Sequence, residues 1–241
     1  MIYFTGDMHG DIINLQSRFS NIPITSDDII VILGDAGFNY YCNKKDNIIK
    51  EKAKLNIPAK IFCIHGNHEA RPQTISTYIQ TDFCGGKAYF EPNYPNILFA
   101  IDGERYYFSI NQKIISVLVI GGAYSVDKYY RIQNGYKWFA DEQLNKKQKD
   151  EIMTRIVENN EVNLVLTHTC PVEWQPTHLF LPTINQSMVD NSMEIFLSEV
   201  ESKLNYDYWL FGHFHDDEKI NDKAIMLFMG VRSLEEILYR K

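Results

Sequence analysis

The chain has 241 residues, 45% hydrophobic and 23% charged, a balance that fits a globular protein long enough to bury a substantial core. Its formal net charge of -7 argues against a general nucleic-acid or membrane-surface binder, since both need a basic face. A nucleotide or phosphoprotein substrate stays open, because bound cations can supply positive charge locally.

No apolar run reaches the roughly 18 residues of a membrane span. No basic segment followed by a long apolar stretch marks a secretory leader. Cys42, Cys63, Cys84 and Cys170 form no C-x-x-C pair and read as reduced thiols of a cytoplasmic protein. With no internal repeat and no Pro/Gly/Ser-rich linker, residues 1–241 are expected to form one domain.

Residues 2–5 read as a short strand that ends in Gly6, Asp7, Met8, His9 and Gly10. Residues 11–19 place Ile12, Leu15 and Phe19 on one helical face. Residues 28–33 form an unbroken apolar run after Asp28, as in strands buried on both faces, and stop at Gly34 and Asp35. A polar helix over 43–55 leads to a third strand, 61–64, which gives way to Gly66, Asn67, His68 and Glu69. This alternation makes a parallel sheet with helical crossovers the simplest topology.

From about residue 85 to 121 the texture changes. Short strands at 87–90, 97–101, 105–110 and 114–120 read as a partly antiparallel meander. A tyrosine-rich loop covers 124–138, a charged helix 142–157, and a buried strand 162–167 that ends at His168. A proline-containing loop follows over 171–182. A helix over 188–204 turns Val189, Met193, Phe196, Leu197 and Val200 to the core. The strand 208–211 ends at Gly212, His213, Phe214 and His215, and Ile220, 224–229 and 236–239 close the chain as strands.

Five apolar strands therefore end in polar turns, which supply Asp7 and His9, Asp35, Asn67 and His68, His168, and His213 and His215. In a parallel sheet the carboxyl ends of the strands share one edge, so these residues converge. A single aspartate there is ordinarily a turn residue, and a single buried histidine a hydrogen-bonded core residue. Recurrence at five strand ends is what favours a site. Carboxylate, imidazole and amide donors together suit Mn, Fe or Zn rather than Mg or Ca alone.

In this order the motifs resemble those of the calcineurin-like metallophosphoesterases, from residue 6 to residue 215. The resemblance implies an α/β fold of two packed mixed β-sheets flanked by helices, an αββα sandwich. It implies two divalent metal ions, Mn2+ first, with Fe or Zn as alternatives. Asp7, His9, Asp35 and His215 would hold one ion; Asp35, Asn67, His168 and His213 would hold the other, with Asp35 bridging. Ions about 4 Å apart activate a water and clamp the oxygens of an in-line displacement at phosphorus. His68 would act as general acid on the leaving oxygen. The implied substrate is a small phosphorylated molecule, nucleotide-like or otherwise, cleaved as a monoester or diester. A protein phosphatase acting on a phosphoprotein and an inactive scaffold of the same fold are the competing readings.

Ser/Thr protein phosphatases of this superfamily carry Gly-Asp-x-x-Asp-Arg-Gly at the second motif. Here Phe38 and Asn39 stand where the second Asp and the Arg belong. Arg71 and Arg131 are the candidates for the missing phosphate grip, weighed against being ordinary exposed arginines. Glu69 either supports His68 or caps a helix starting near Pro72. Tyr124 and the tyrosines after it, beyond Gly121 and Gly122, are candidates for stacking a nucleobase. Their segment resembles the Gly-Gly-Ala-x-Ser-x-Asp region of a bacterial subgroup. His65 and His178 are read as structural.

Overall fold

A computed structural model describes residues 1–239. The chain opens with parallel strands β1 (Ile2–Thr5), β2 (Ile29–Ile32) and β3 (Lys60–Cys63), joined by α1 (Ile12–Arg18) and α2 (Lys44–Asn56). Each helix begins at a side-chain cap: Asp11 accepts the Asn14 N–H and Asn43 accepts the Lys45 N–H. β4 (Ile79–Phe83), β5 (Gly86–Phe90) and β6 (Ile97–Ala100) follow as an antiparallel meander. It extends the first sheet through a parallel β3–β6 pairing.

The chain then crosses to a second sheet, which begins with the hairpin of β7 (Arg105–Ile110) and β8 (Lys113–Ile120). After α3 (Lys128–Gln133) and α4 (Lys146–Glu158), β9 (Glu161–Thr167) pairs parallel to β8. α5 (Ser192–Glu201) leads to β10 (Asn205–Phe211), β11 (Glu218–Lys219) and β12 (Ala224–Met226). β13 (Arg232–Ser233) returns to pair with β1, and α6 (Leu234–Tyr239) follows. The seven-stranded sheet runs β13-β1-β2-β3-β6-β5-β4 and the six-stranded sheet β11-β12-β10-β9-β8-β7.

Alternate side chains of the central strands enter two different buried layers. Val31, Phe62, Val119 and Leu166 meet between the sheets. Ile30, Ile32 and Ile61 pack outward with Leu15 of α1 and Ala53 of α2. Leu118, Ile120, Val165 and Trp209 pack outward with α4 and α5. Both faces being buried explains why these strands show no polar alternation. The result is the αββα sandwich that the sequence implied.

Several local expectations change. The expected meander over 85–121 is divided between the two sheets, since β6 belongs to the first and β7 to the second. Residues 236–239 are helical, not extended: Ser233 Oγ accepts the Glu236 N–H and the Glu236 carboxylate accepts the Ser233 N–H, a reciprocal cap. The helix expected from 142 starts at Lys146, where Asn145 and Gln148 form a capping box, and Glu142 is left in the preceding loop. The helix expected from 188 starts at Ser192, so Val189 lies outside it. Part of the tyrosine-rich loop coils into α3. Among the described residues no helix is long and apolar enough to cross a membrane, and all four cysteines are free thiols.

Candidate metal centre

The polar turns after β1, β2 and β3 face those after β9 and β10 across the seam between the sheets. Asp7 Oδ1 accepts the His213 N–H at 3.0 Å, and Asp7 Oδ2 lies 3.2 Å from His215 Nε2. The N–H groups of Met8 and His9 both bond the Asp35 carbonyl, which ties the first turn to the second. Asp35 Oδ1 accepts the His68 N–H at 2.8 Å. Its Oδ2 lies 3.9 Å from His9 Nδ1 and 3.7 Å from His168 Nε2.

Close approach demands glycine at two points. A Cβ on Gly66 would sit 1.9 Å from Asp35 Oδ1, and one on Gly34 would sit 1.9 Å from His168 Nδ1. The turns also hold His9, Asp35, His213 and His215 at φ of 49°, 47°, 72° and 57°, the left-handed region that side-chain-bearing residues rarely enter.

Donor atoms of Asp7, His9 and His215 lie within 4.8 Å of one another, as do those of His9, Asp35 and His68, and those of Asp7, Asp35 and His168. Asn67 joins through its amide oxygen, 2.8 Å from His168 Nε2. His213 stands slightly apart: its ring packs on His168 at 4.9 Å, and its donors are in none of these close groups among the described residues.

The chemistry of this set fits cations. His168 donates Nδ1–H to the Leu33 carbonyl at 2.8 Å, which leaves Nε2 directed at the cluster. Asn67 donates its amide N–H to Ser125 Oγ at 2.8 Å, so its oxygen faces that same Nε2. When His168 is neutral, its Nε2 and the Asn67 oxygen are two acceptors 2.8 Å apart, a pair that a cation would join. The Nε2 atoms of His9 and His215 lie 3.1 Å apart, and His215 Nε2 also lies 3.2 Å from Asp7 Oδ2. Asp7 and Asp35 are 1% and 2% exposed, yet no lysine or arginine bonds either carboxylate among the described residues.

Local electrostatics agree. Burial alone would raise the Asp7 and Asp35 carboxyls, but His168 acting on both, His215 on Asp7 and His68 on Asp35 outweigh it and hold both below the usual range. Burial, reinforced by His168, pushes His213 down to about 3, so its ring is a neutral donor. His215 is raised by its hydrogen bond to Asp7.

His68 sits at the mouth of the cluster. Arg131 Nη2 donates to its Nδ1 at 2.7 Å, and Asp127 Oδ1 lies 3.8 Å from its Nε2. Arg131 is itself held by Asp127 Oδ2 at 2.9 Å and by the Lys137 carbonyl. Burial lowers the His68 pKa, and Arg131 and His9 add to this against the pull of Asp35. Phe38 and Asn39 both point into the core: Phe38 meets Phe99 edge-on, and Asn39 accepts the Tyr78 hydroxyl.

Two expectations need correction. Arg71 is not a phosphate grip; it is 2% exposed and bound to Asp102 and the Asp141 carbonyl, away from the cluster. Glu69 neither supports His68 nor caps a helix. It is fully buried and accepts the N–H groups of Ala36 and Gly37, and burial beside Asp35 pushes it up to about 8. Tyr129 and Tyr130 are exposed, and Tyr130 stacks on Tyr136; Tyr124 does line the cavity in front of His68.

Ser125 and Glu142 are partners that strand-end reasoning passed over. Glu142 accepts the Ser125 hydroxyl at 2.5 Å, which fixes the oxygen that orients Asn67. The sequence signal for Ser125 was its place in the Gly-Gly-Ala-x-Ser-x-Asp segment after β8, and Glu142 had none. His65 and His178 lie outside the cluster: His65 is buried beside Arg71, and His178 is exposed near Glu218.

Two packed sheets whose strand ends bring carboxylates and imidazoles together define a metal-dependent hydrolase of phosphate esters. A family profile described as calcineurin-like phosphoesterase matches residues 1–217, and the chain belongs to that family. Among solved structures, phosphopantetheinyl hydrolase (PptH) from Mycobacterium tuberculosis is 13% identical with a TM-score of 0.50, covering 100% of this chain and 92% of its own. A second is 15% identical with a TM-score of 0.50, covering 95% of this chain and 90% of the other. The calcineurin-like phosphoesterase YfkN from Bacillus subtilis is 13% identical with a TM-score of 0.38, covering 95% of this chain and 82% of the other. The first two likenesses speak to the fold alone. No curated protein sequence matches the chain.

Proposed function

We propose that this chain hydrolyses a phosphate monoester or diester of a small molecule with two divalent ions, Mn2+ first and Fe or Zn as alternatives. The observation that supports the reading is the convergence of donor atoms of Asp7, His9, Asp35, His168 and His215 in groups within 4.8 Å, with the Asn67 amide oxygen 2.8 Å from His168 Nε2. Asp7, His9, Asp35 and His215 would hold one ion, and Asp35, Asn67, His168 and His213 the other. Such ions supply an activated water and charge for the phosphoryl oxygens.

The chain's own residues position and protonate. The His68 N–H pins one oxygen of Asp35 and leaves the other facing the cluster. Arg131 donates to His68 Nδ1, so a neutral His68 carries its proton on Nε2, where it is available to the leaving oxygen. Arg131 thus acts on the substrate through His68. With Asp127 it would take over the work of the absent Asp and Arg of the second motif. Tyr124 contributes a wall of the substrate cavity.

The cavity beside the cluster is about 400 Å³, the size of a small-molecule site, which favours such a substrate over a phosphoprotein. The likeness to a phosphopantetheinyl hydrolase is reason to assay diesters of small molecules beside monoesters. Free thiols and an acidic chain fit a cytoplasmic setting without general nucleic-acid binding.

The test is hydrolysis of p-nitrophenyl phosphate and bis-p-nitrophenyl phosphate with added Mn2+ or with chelator, beside elemental analysis of the protein. Turnover abolished by chelator, with two ions bound per chain, is the expected result. A protein that binds no ion and turns over neither ester is a scaffold.

A further inference from the structure

We propose that the larger ester group of the substrate is an apolar, uncharged arm held against the 175–191 segment. This rests on the phosphoesterase reading and names the substrate class of the same site. The cavity of about 400 Å³ opens directly off Asp35, Asn67, His68, His213 and His215. Its far wall is apolar: Leu179, Phe180, Leu181, Ile184 and Val189 from one segment, and Phe214 from the turn after β10. The Phe180 and Phe214 rings stack at 6.4 Å and 21°, and Phe214 meets the His213 ring at 4.9 Å. An apolar surface therefore continues to the cluster itself.

Charge selects the occupant further. Among the described residues that line this cavity there is no lysine or arginine. Its carboxylates outside the cluster are Asp127 and Glu194, and Glu194 is already bonded to the Thr169 hydroxyl at 2.9 Å. A carboxylate or second phosphate on the arm would lose water without gaining a cation. The polar side chains at the edge are the neutral amides of Gln175, Gln186 and Asn191, suited to a hydroxyl or amide on the arm. On the other side of His68 lies a smaller cavity of about 190 Å³, with Arg131, Tyr40 and Tyr41 on its walls. The arginine thus belongs to that side.

Two wall residues lie open to solvent: Leu181 is 58% exposed and Val126 39%. Short 3-10 turns at Thr177–Leu179 and Gln186–Met188 present this wall without sheet pairing. Covering such surface with a methylene chain gains about fourfold in affinity per methylene, the equivalent of about 0.8 kcal/mol.

The experiment uses the Mn2+-loaded protein and a series of methyl-, butyl- and hexylphosphonate. Each is measured by calorimetry and as a competitor of p-nitrophenyl phosphate. Affinity should rise about fourfold per methylene over the first few, and a carboxylate at the chain end should abolish that gain. Leu181→Asp and Phe180→Ala should each shrink the hexyl-to-methyl ratio. A flat series in protein that hydrolyses p-nitrophenyl phosphate and binds methylphosphonate overturns this proposal alone. Loss of both metal-dependent turnover and methylphosphonate binding overturns the phosphoesterase reading, and this inference with it.

Discussion

Asp35 occupies a backbone conformation that a side-chain-bearing residue avoids, and its surroundings supply the reason it stays there. Met8 and His9 bond its carbonyl, the His68 N–H bonds its side chain, and the Glu69 carboxylate takes the next two N–H groups. Unfavourable conformations held by several contacts are common at functional sites. Asp35→Asn removes the charge that both proposed ions share. It should take turnover below detection and bound metal below one ion per chain, read by elemental analysis. Full activity in that variant would refute the bridging role. Ser125→Ala is subtler, since it frees the Asn67 amide to rotate. Metal affinity should fall about 10- to 100-fold in a metal titration, as for other losses of ligand-orienting partners.

At the scale of elements, α5 covers the second sheet with Met193, Phe196, Leu197 and Val200, yet its first turn also buries Glu194. Burial raises that carboxyl, against the opposing hydrogen bond from Thr169. The folded chain then binds the proton more tightly than the unfolded chain. Stability contributed by this group is fully present below the unfolded value of 4.5 and is lost as pH rises above it. Glu194→Gln keeps an acceptor for Thr169 and deletes the titration. The variant should melt about 2–4 °C higher than the parent near pH 8, as expected of about 1 kcal/mol in a chain of this length. The gap should close near pH 4, and calorimetry at both pH values decides. An equal gap at both would mean that burial of this carboxyl has no pH-dependent cost.

For the whole molecule, the site is a product of sheet packing. The first sheet carries Asp7, His9, Asp35, Asn67 and His68, and the second carries His168, His213 and His215. Phe62 of β3 locks the two together: its ring lies 4.9 Å from Phe83 and 4.8 Å from Tyr106, which belongs to β7 of the second sheet. Phe62→Ala should cost about 3–5 kcal/mol in denaturant unfolding. It touches no donor of the cluster, yet it should weaken metal binding in parallel. Lost stability with unchanged metal affinity would show that the turns hold the site without help from the sheet interface.

Much of this was readable one segment at a time. Apolar runs without alternation announced strands buried on both faces, and the glycine-flanked Asp7, Asp35, Asn67 and His213 marked where those strands stop. Periodicity and turn chemistry act over a few residues, so a linear reading captures them. Helix α6 was misread because its reciprocal cap at Ser233 and Glu236 was outweighed by a short apolar ending. Other features depended on partners distant in sequence. Arg71 follows Glu69 closely, but its guanidinium found Asp102, while Arg131 came from α3 to reach His68. Ser125 and Glu142 set the Asn67 amide from the loops that follow β8 of the other sheet. The sequence by itself determined the family, the strand ends and the donor types, because those are local properties of short segments. Only the tertiary structure decided which side chains orient the donors and what kind of cavity faces them, because packing the two sheets selects among contacts that local preference leaves equal.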